Sequence, residues 1–288
     1  MADDEGTDPL IARLECGELA FRFREAAHVE FTAASKALDK YSGQLSKIEN
    51  GDVAPPPDVV EKMITLYGLG EPEADQLRQA SILARRRADA TPVPQSSRKY
   101  VSLERLASTI KMVYPEWPGL LENFEFALAA LERSLSVPAK EVPAMAAARP
   151  KRGAEVIHAG GPKVQIVLGE EALYREFGGP GVLLNQLVYF RDEFLRLPEV
   201  EFRVATYDVG GVPALSCPFT LLHFDPRKPT DRLEKIAYTV SLSRTDYIKQ
   251  TAPYEAAFDQ AWALAKNEEE SAAILDRRIA NLEQQLGA

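Results

Sequence analysis

The sequence predicts an α+β protein: an all-α five-helix domain over residues 1–90, followed by a mixed α/β domain over residues 98–288. Three observations lead there. Up to residue 90 the apolar positions recur at spacings of three and four, and no stretch reads as strand. Residues 90–97 then interrupt helical periodicity on both sides with Thr91, Pro92, Pro94, Ser96 and Ser97, the composition of a linker. Beyond it, short runs rich in β-branched and aromatic residues alternate with helical stretches.

In the first domain helices are expected at 10–27, 31–38, 42–49, 57–67 and 71–87. Leu19, Phe23 and Ala26 mark the inward face of the first, and Val59, Met63 and Leu66 that of the fourth. Ser42 can cap a helix start, Gly51 can end one, Pro57 suits a first turn, and Gly68 and Gly70 close the fourth helix. In the second domain strands are expected at 163–168, 200–207, 219–224 and 235–241, and helices at 103–108, 124–135, 170–177, 182–197, 254–266 and 269–286. The stretch 137–153, with Pro138, Pro143, Pro150 and Gly153 around alanines, reads as a short helix with broken ends. In the last helix Leu275, Ile279, Leu282 and Leu286 form a two-heptad apolar seam, which packs on its own domain or joins two subunits.

The chain has 288 residues, a formal net charge of -9 and 45% hydrophobic residues, values of a globular protein large enough to fold without metal or disulfide. Its two cysteines, Cys16 and Cys217, form no CxxC, which points to a reducing, cytoplasmic setting. An acidic start and the lack of any run near ~18 apolar residues argue against a secreted or membrane-spanning protein. The acidic balance argues against coating nucleic acid by bulk charge, but leaves open a few cations on a docking surface.

Residues 29–51 hold the most informative pattern: a short helix, a tight polar turn at 39–41, and a second short helix ending in Lys47-Ile48-Glu49-Asn50-Gly51. That is helix-turn-helix spacing. Leu45 and Ile48 point inward, leaving Ser42, Gly43, Gln44 and Lys47 outward. A helix of that size fits a DNA major groove, where Gln pairs with adenine and Ser or Lys meets bases or phosphates. Lys36, Lys40 and Lys47 concentrate positive charge there, and Arg85, Arg86 and Arg87 could add phosphate contacts. The alternative is a plain helical hairpin with Gln44 and Lys47 merely solvated.

On the residues 45–51 and the following 57–66, the first domain resembles the Cro/phage-repressor-like (XRE-type) helix-turn-helix family. The resemblance implies a recognition helix beginning near Ser42, with Ser42, Gly43 and Gln44 facing bases. Lys47 approaches the backbone; Lys40 and Asn50 are also expected among the DNA-binding residues. Phe31 stands where many members carry Gln. In the second domain, Tyr100-Val101-Ser102-Leu103-Glu104 and Tyr114-Pro115-Glu116-Trp117-Pro118-Gly119-Leu120-Leu121 resemble the opening of a C-terminal module of actinobacterial Cro-like regulators. Arg149, Arg152, Gly178-Gly179, Gln186-Leu187, Tyr238 and Ser271 continue the likeness, while Pro150 and Gly153 depart from it. The resemblance implies an antitoxin-like, WhiJ-type regulator paired with a small partner protein.

No HExxH, GxSxG, GxGxxG or GxxxxGK[ST] occurs, and His28, His158 and His223 are isolated, so no catalytic residue, metal or cofactor is expected and the chain does not read as an enzyme. Trp117, Phe124, Phe126, Phe190, Phe194 and Trp262 read as core. Gly178–Gly181 reads as a loop and helix start more readily than as an anion cradle. The expected function is therefore a sequence-specific DNA-binding transcriptional regulator of repressor type. It would act as a homodimer on double-stranded operator DNA, controlled through its second domain by a small partner protein or signal. The alternatives are an antitoxin-like interaction protein or a small-molecule-sensing regulator.

Overall fold

A computed structural model describes residues 9–40, 42–86, 98–135, 137–225, 234–241 and 245–287. The architecture is α+β. Internal contacts divide the chain into two compact units, one drawn from Met1–Thr91 and the other from Pro92–Phe224 with Lys235–Ala288. The expected linker, with Tyr41 and Arg87, lies outside the described residues.

Among the described residues the regular elements of the first unit are helices: α1 (Pro9–Ala26), α2 (Phe31–Ala37), α3 (Ser42–Glu49), α4 (Pro57–Tyr67) and α5 (Glu71–Ala84). Its helix ends share one device. The chain leaves α1, α2, α3 and α4 through His28, Asp39, Gly51 and Gly68, with φ of 54°, 52°, 69° and 64°. Each is followed by a backbone bond five residues back to the last turn: Val29 N to Arg24 O, Lys40 N to Ser35 O, Asp52 N to Lys47 O and Leu69 N to Ile64 O. This is the Schellman arrangement, which satisfies orphan carbonyls at each stop. Gly70, expected to close α4, instead precedes α5, its N–H donating to Glu73 Oε2 at 2.8 Å. Ser42, expected as a cap, is the first helical residue of α3.

The inward face of α1 also differs from expectation. Ala12, Cys16, Ala20 and Arg24 are buried at a spacing of four, while Leu19 and Phe23 are half-buried and Ala26 is exposed. Close approach explains it: a Cβ added to Gly17 would lie 2.5 Å from Ile48 O and 2.8 Å from Gly51 N. Small residues let α1 sit directly on the end of α3, and the larger ones pack at the sides of a core formed by Leu38, Leu45, Ile48, Val59, Met63 and Leu77.

In the second unit α6 (Arg98–Leu106) leads into β1 (Ala107–Tyr114), followed by α7 (Phe124–Glu132), α8 (Val142–Val156), β2 (Lys163–Gly169), α9 (Pro180–Tyr189) and β3 (Val200–Ala205). Then come β4 (Phe219–Phe224), β5 (Lys235–Val240), β6 (Thr245–Ile248), α10 (Ala252–Leu264) and α11 (Glu268–Leu286). The strands form one sheet in the order β3-β2-β1-β4-β5-β6. The β1–β2 and β2–β3 pairs are parallel, and the pairs from β1–β4 to β5–β6 antiparallel.

On one sheet face Phe258 and Ala261 of α10 cover Val113, Val167, Leu221 and Ala237. On the other, Tyr100 stacks on Tyr238 with ring centroids 3.8 Å apart, and Phe190 meets Trp117 at 4.9 Å and Phe202 at 5.0 Å. The edge strand β3 is closed by α11: Val204 N–H donates to Ser271 Oγ at 2.9 Å, and that hydroxyl donates to Lys266 O at 3.2 Å.

Several expectations change here. β1 was not expected, and 103–108 straddles the end of α6 and the start of β1. Stretch 170–177 yields only one 3₁₀ turn at Glu170–Leu173, and 182–197 is α9 running into a π-helical turn at Phe190–Leu195 that buries Phe190 and Phe194 together. The interrupted stretch 137–153 runs into the continuous helix α8, which extends to Val156 with Pro150 inside it. Gly153 lets that helix press on Leu120, whose O would lie 2.5 Å from an added Cβ. Phe124 is 43% exposed at the start of α7 rather than core, and Trp262 is half-buried under the Arg203 guanidinium at 4.3 Å. In α11, Leu275, Ile279 and Leu282 are buried within their own unit and Leu286 is exposed, so the seam packs internally.

Candidate nucleic-acid interface

The candidate surface is built from α2 and α3. Leu45 (0% exposed) and Ile48 (1%) anchor α3 to the core of the first unit, and with both turned inward the opposite side faces water. Ser42, Gly43 and Lys47 are exposed, whereas Gln44, expected fully outward, is half-buried. Lys40 is half-buried too: its N–H donates to Ser35 O at 2.9 Å and its O accepts the Ser35 hydroxyl. Asn50 is half-buried at the exit of α3, with Nδ2 donating to Ser46 Oγ at 3.1 Å. On α2, Thr32 and Lys36 are exposed. Among the described residues Lys36, Lys40 and Lys47 form no ion pair, so their charge is available to an anion.

The start of the α2–α3 turn carries an exposed ion pair. Lys62 Nζ on α4 donates to Asp39 Oδ2 at 2.6 Å, and that bond, with the charges of Lys62 and Lys40, holds the Asp39 carboxyl below the usual carboxylate range. Asp39 is also the left-handed residue that ends α2, so the contact lies at the point where the turn begins.

Sequence reasoning missed the strongest constraint. Arg24 Nε donates to Glu49 Oε1 at 2.7 Å, Nη2 donates to Glu49 Oε2 at 3.3 Å, and Nη1 donates to Val29 O at 3.0 Å. The guanidinium lies between the rings of Phe21 and Phe31, 5.3 and 5.6 Å from their centroids. Burial pulls the Arg24 pKa down, but the Glu49 bond and charge outweigh it, and the group stays above its ordinary value. Burial also pushes the Tyr67 phenol up, with the Glu49 charge adding to it. One clue was in the sequence: Arg24 continues the buried Cys16, Ala20 spacing. Phe31, which departs from the Cro-like pattern, packs against the first unit's core and flanks Arg24.

Other sequence candidates fall elsewhere. His28 ends α1, and His223 on β4 sits with Nε2 2.8 Å from Glu255 Oε1, its pKa held down by burial against the pull of that carboxylate. Among the described residues no group of three or more metal-ligating side chains occurs, and no helix is long and apolar enough to cross a membrane.

Comparison with known proteins agrees with the two units. Residues 16–77, which contain the Arg24–Glu49 pair and the whole α2–α3 hairpin, match a family described as "Helix-turn-helix domain", the module of DNA-binding transcriptional regulators. No curated protein and no solved structure matches the chain. Residues 97–277, well over half of the chain, match the family described as "Domain of unknown function (DUF5753)", and the chain belongs to that family, carrying its module behind a helix-turn-helix domain.

Proposed function

We propose that this chain is a sequence-specific transcriptional repressor that binds double-stranded operator DNA through α3. One observation carries the reading: Leu45 and Ile48 bury one side of α3 while the other presents Ser42, Gly43, Lys47 and the half-buried Gln44, with Lys36, Lys40 and Lys47 in no ion pair within the described residues. In this reading Ser42 and Gln44 read base edges, and Lys36, Lys40 and Lys47 set the register on phosphates. Asn50 steadies the exit of the helix.

The same reading makes the protein a cytoplasmic homodimer engaging two half-sites about one helical turn apart. The second unit supplies control by a partner protein or signal, acting by binding rather than catalysis. The test is selection of binding sites from random duplexes by the full-length chain, followed by footprinting. A recovered motif with two half-sites at that spacing supports the reading. Retention of duplexes without any shared motif would refute sequence-specific binding.

A further inference from the structure

A shallow groove of about 550 Å³ runs along α7 in the second unit, and the first turns of α9 with the last turn of α11 supply its other walls. Its apolar lining includes Leu128, Val182 and Leu184, all half-buried, and Leu286, which is 43% exposed. Phe124, one turn before Leu128 on the same face of α7, is also 43% exposed. The seam of α11 is buried at Leu275, Ile279 and Leu282, and its last member emerges in this groove. Single exposed leucines are ordinary, whereas a contiguous apolar strip with a polar rim marks an interaction site.

The rim is acidic. Glu125 and Glu132 line the groove, and neither forms an ion pair among the described residues. Glu125 Oε2 accepts from Asn185 Nδ2 at 2.7 Å, a neutral donor that leaves the carboxylate charged. Among the described residues no cation lines the groove: Arg133, next to Glu132, lies over the Phe177 ring, 5.7 Å from its centroid. The amino end of α9 and the carboxyl end of α11 contribute opposite partial charges of about half a unit each, which offset one another. Two carboxylates therefore set the charge of the lining.

Positions seven apart share a helix face and lie about 10.5 Å apart along its axis. Glu125 and Glu132 thus bracket Leu128 at the spacing with which a second helix, laid alongside, presents two cations flanking an apolar stripe. A second copy of this chain is the wrong occupant, because a two-fold contact through this patch would set the carboxylates against their own kind. We propose that the groove docks a cationic amphipathic helix of a partner protein, its apolar stripe on Leu128, Val182 and Leu286 and its cations at Glu125 and Glu132. The inference rests on the reading of the second unit as the part controlled by a partner, and is independent of the DNA reading.

The test is fluorescence anisotropy of an end-blocked, alanine-rich peptide with leucines on one face and lysines seven positions apart, titrated with the full-length chain. A length of about 18 residues keeps it helical in water. Saturable one-to-one binding below about 1 mM is expected. It should weaken about fivefold or more in Glu132→Lys, in Leu286→Ser, and when the peptide's lysines are replaced by glutamates. Glu269→Lys makes the same charge change on α11 about 26 Å from Leu286, and should bind within about twofold of the parent. All three substitutions replace exposed side chains, and unchanged thermal unfolding verifies that the fold survives. The proposal is overturned if the peptide does not saturate, if Glu132→Lys and Leu286→Ser bind as the parent does, or if Glu269→Lys weakens binding as much as Glu132→Lys. It is also overturned if 1,8-diaminooctane displaces the peptide at equal concentration, which would assign the groove to a small organic dication. Operator binding is measured separately with the peptide present: saturation that leaves operator affinity unchanged supports the docking surface and refutes control through it.

Discussion

Arg24 on α1 and Glu49 at the end of α3 form a two-point ion pair, at 2.7 and 3.3 Å, with both side chains only 5% exposed. It joins the first helix of the chain to the helix proposed to read DNA. Breaking a buried pair by removing one partner costs about 3–5 kcal/mol, less for Glu49→Ala because Arg24 keeps Glu25 at 2.7 Å, whereas a well-packed apolar pair is tolerated. Arg24→Ala and Glu49→Ala should therefore each shift the denaturant midpoint of the first unit strongly downward. Arg24→Met combined with Glu49→Leu should recover most of the loss. Urea unfolding followed by far-UV circular dichroism checks this, and equal losses in the single and double variants would contradict it.

A second prediction concerns the β3 edge. The buried Ser271 hydroxyl accepts from Val204 N–H and donates to Lys266 O, so Ser271→Ala strands a buried backbone donor. The expected cost is about 1–3 kcal/mol of stability in the second unit. Amide hydrogen exchange at Val204 should accelerate while protection in β5 is retained. Unchanged exchange at Val204 would show that another acceptor serves it.

How much of this was legible in the sequence depended on whether the controlling contacts were local. The bounds of α3 and the inward direction of Leu45 and Ile48 follow from 3.6-residue periodicity and from Gly51 as a stop, both properties of neighbouring residues. β1 was not legible. It is the strand flanked by β2 and β4, buried at both Ile110 and Val113, and Lys111 interrupts its apolar run. In the fold Lys111 leaves the core by reaching Glu255 at 3.2 Å with Phe258 beside its ammonium at 4.9 Å, partners 144 and 147 positions away. The Arg24–Glu49 pair was hidden for the same reason: each residue alone reads as solvated charge, and only the close approach at Gly17 brings them together. Pro150 and Gly153 read as breakers because their local cost is visible, while the packing of α8 against Leu120 is not.

A third prediction follows from buried carboxylates in the second unit. Burial pushes the Glu104 carboxyl above its usual range, opposed by Arg152, whose Nε lies 3.5 Å away. Burial likewise raises Glu122, against the bonded Arg149. A carboxyl whose pKa is higher folded than unfolded contributes fully below the unfolded value, and that contribution is lost as pH rises through the folded one. Glu104→Gln removes this proton linkage. The stability of the parent relative to Glu104→Gln should therefore fall as pH rises from the ordinary carboxylate range toward neutrality. Thermal unfolding of both proteins across that interval checks the sign, and a difference that stays constant or grows in the parent's favour would contradict it.

The central claim is that the exposed side of α3 reads DNA, and the most direct measurement is duplex binding by the parent, Gln44→Ala and Lys47→Ala across a range of salt, on the selected site and on scrambled sequence. The account predicts that Gln44→Ala loses about 1–3 kcal/mol of discrimination between the two duplexes. Lys47→Ala should weaken both alike and lower the salt slope by about one unit. If both variants match the parent on both duplexes at every salt concentration, α3 is not the reading helix.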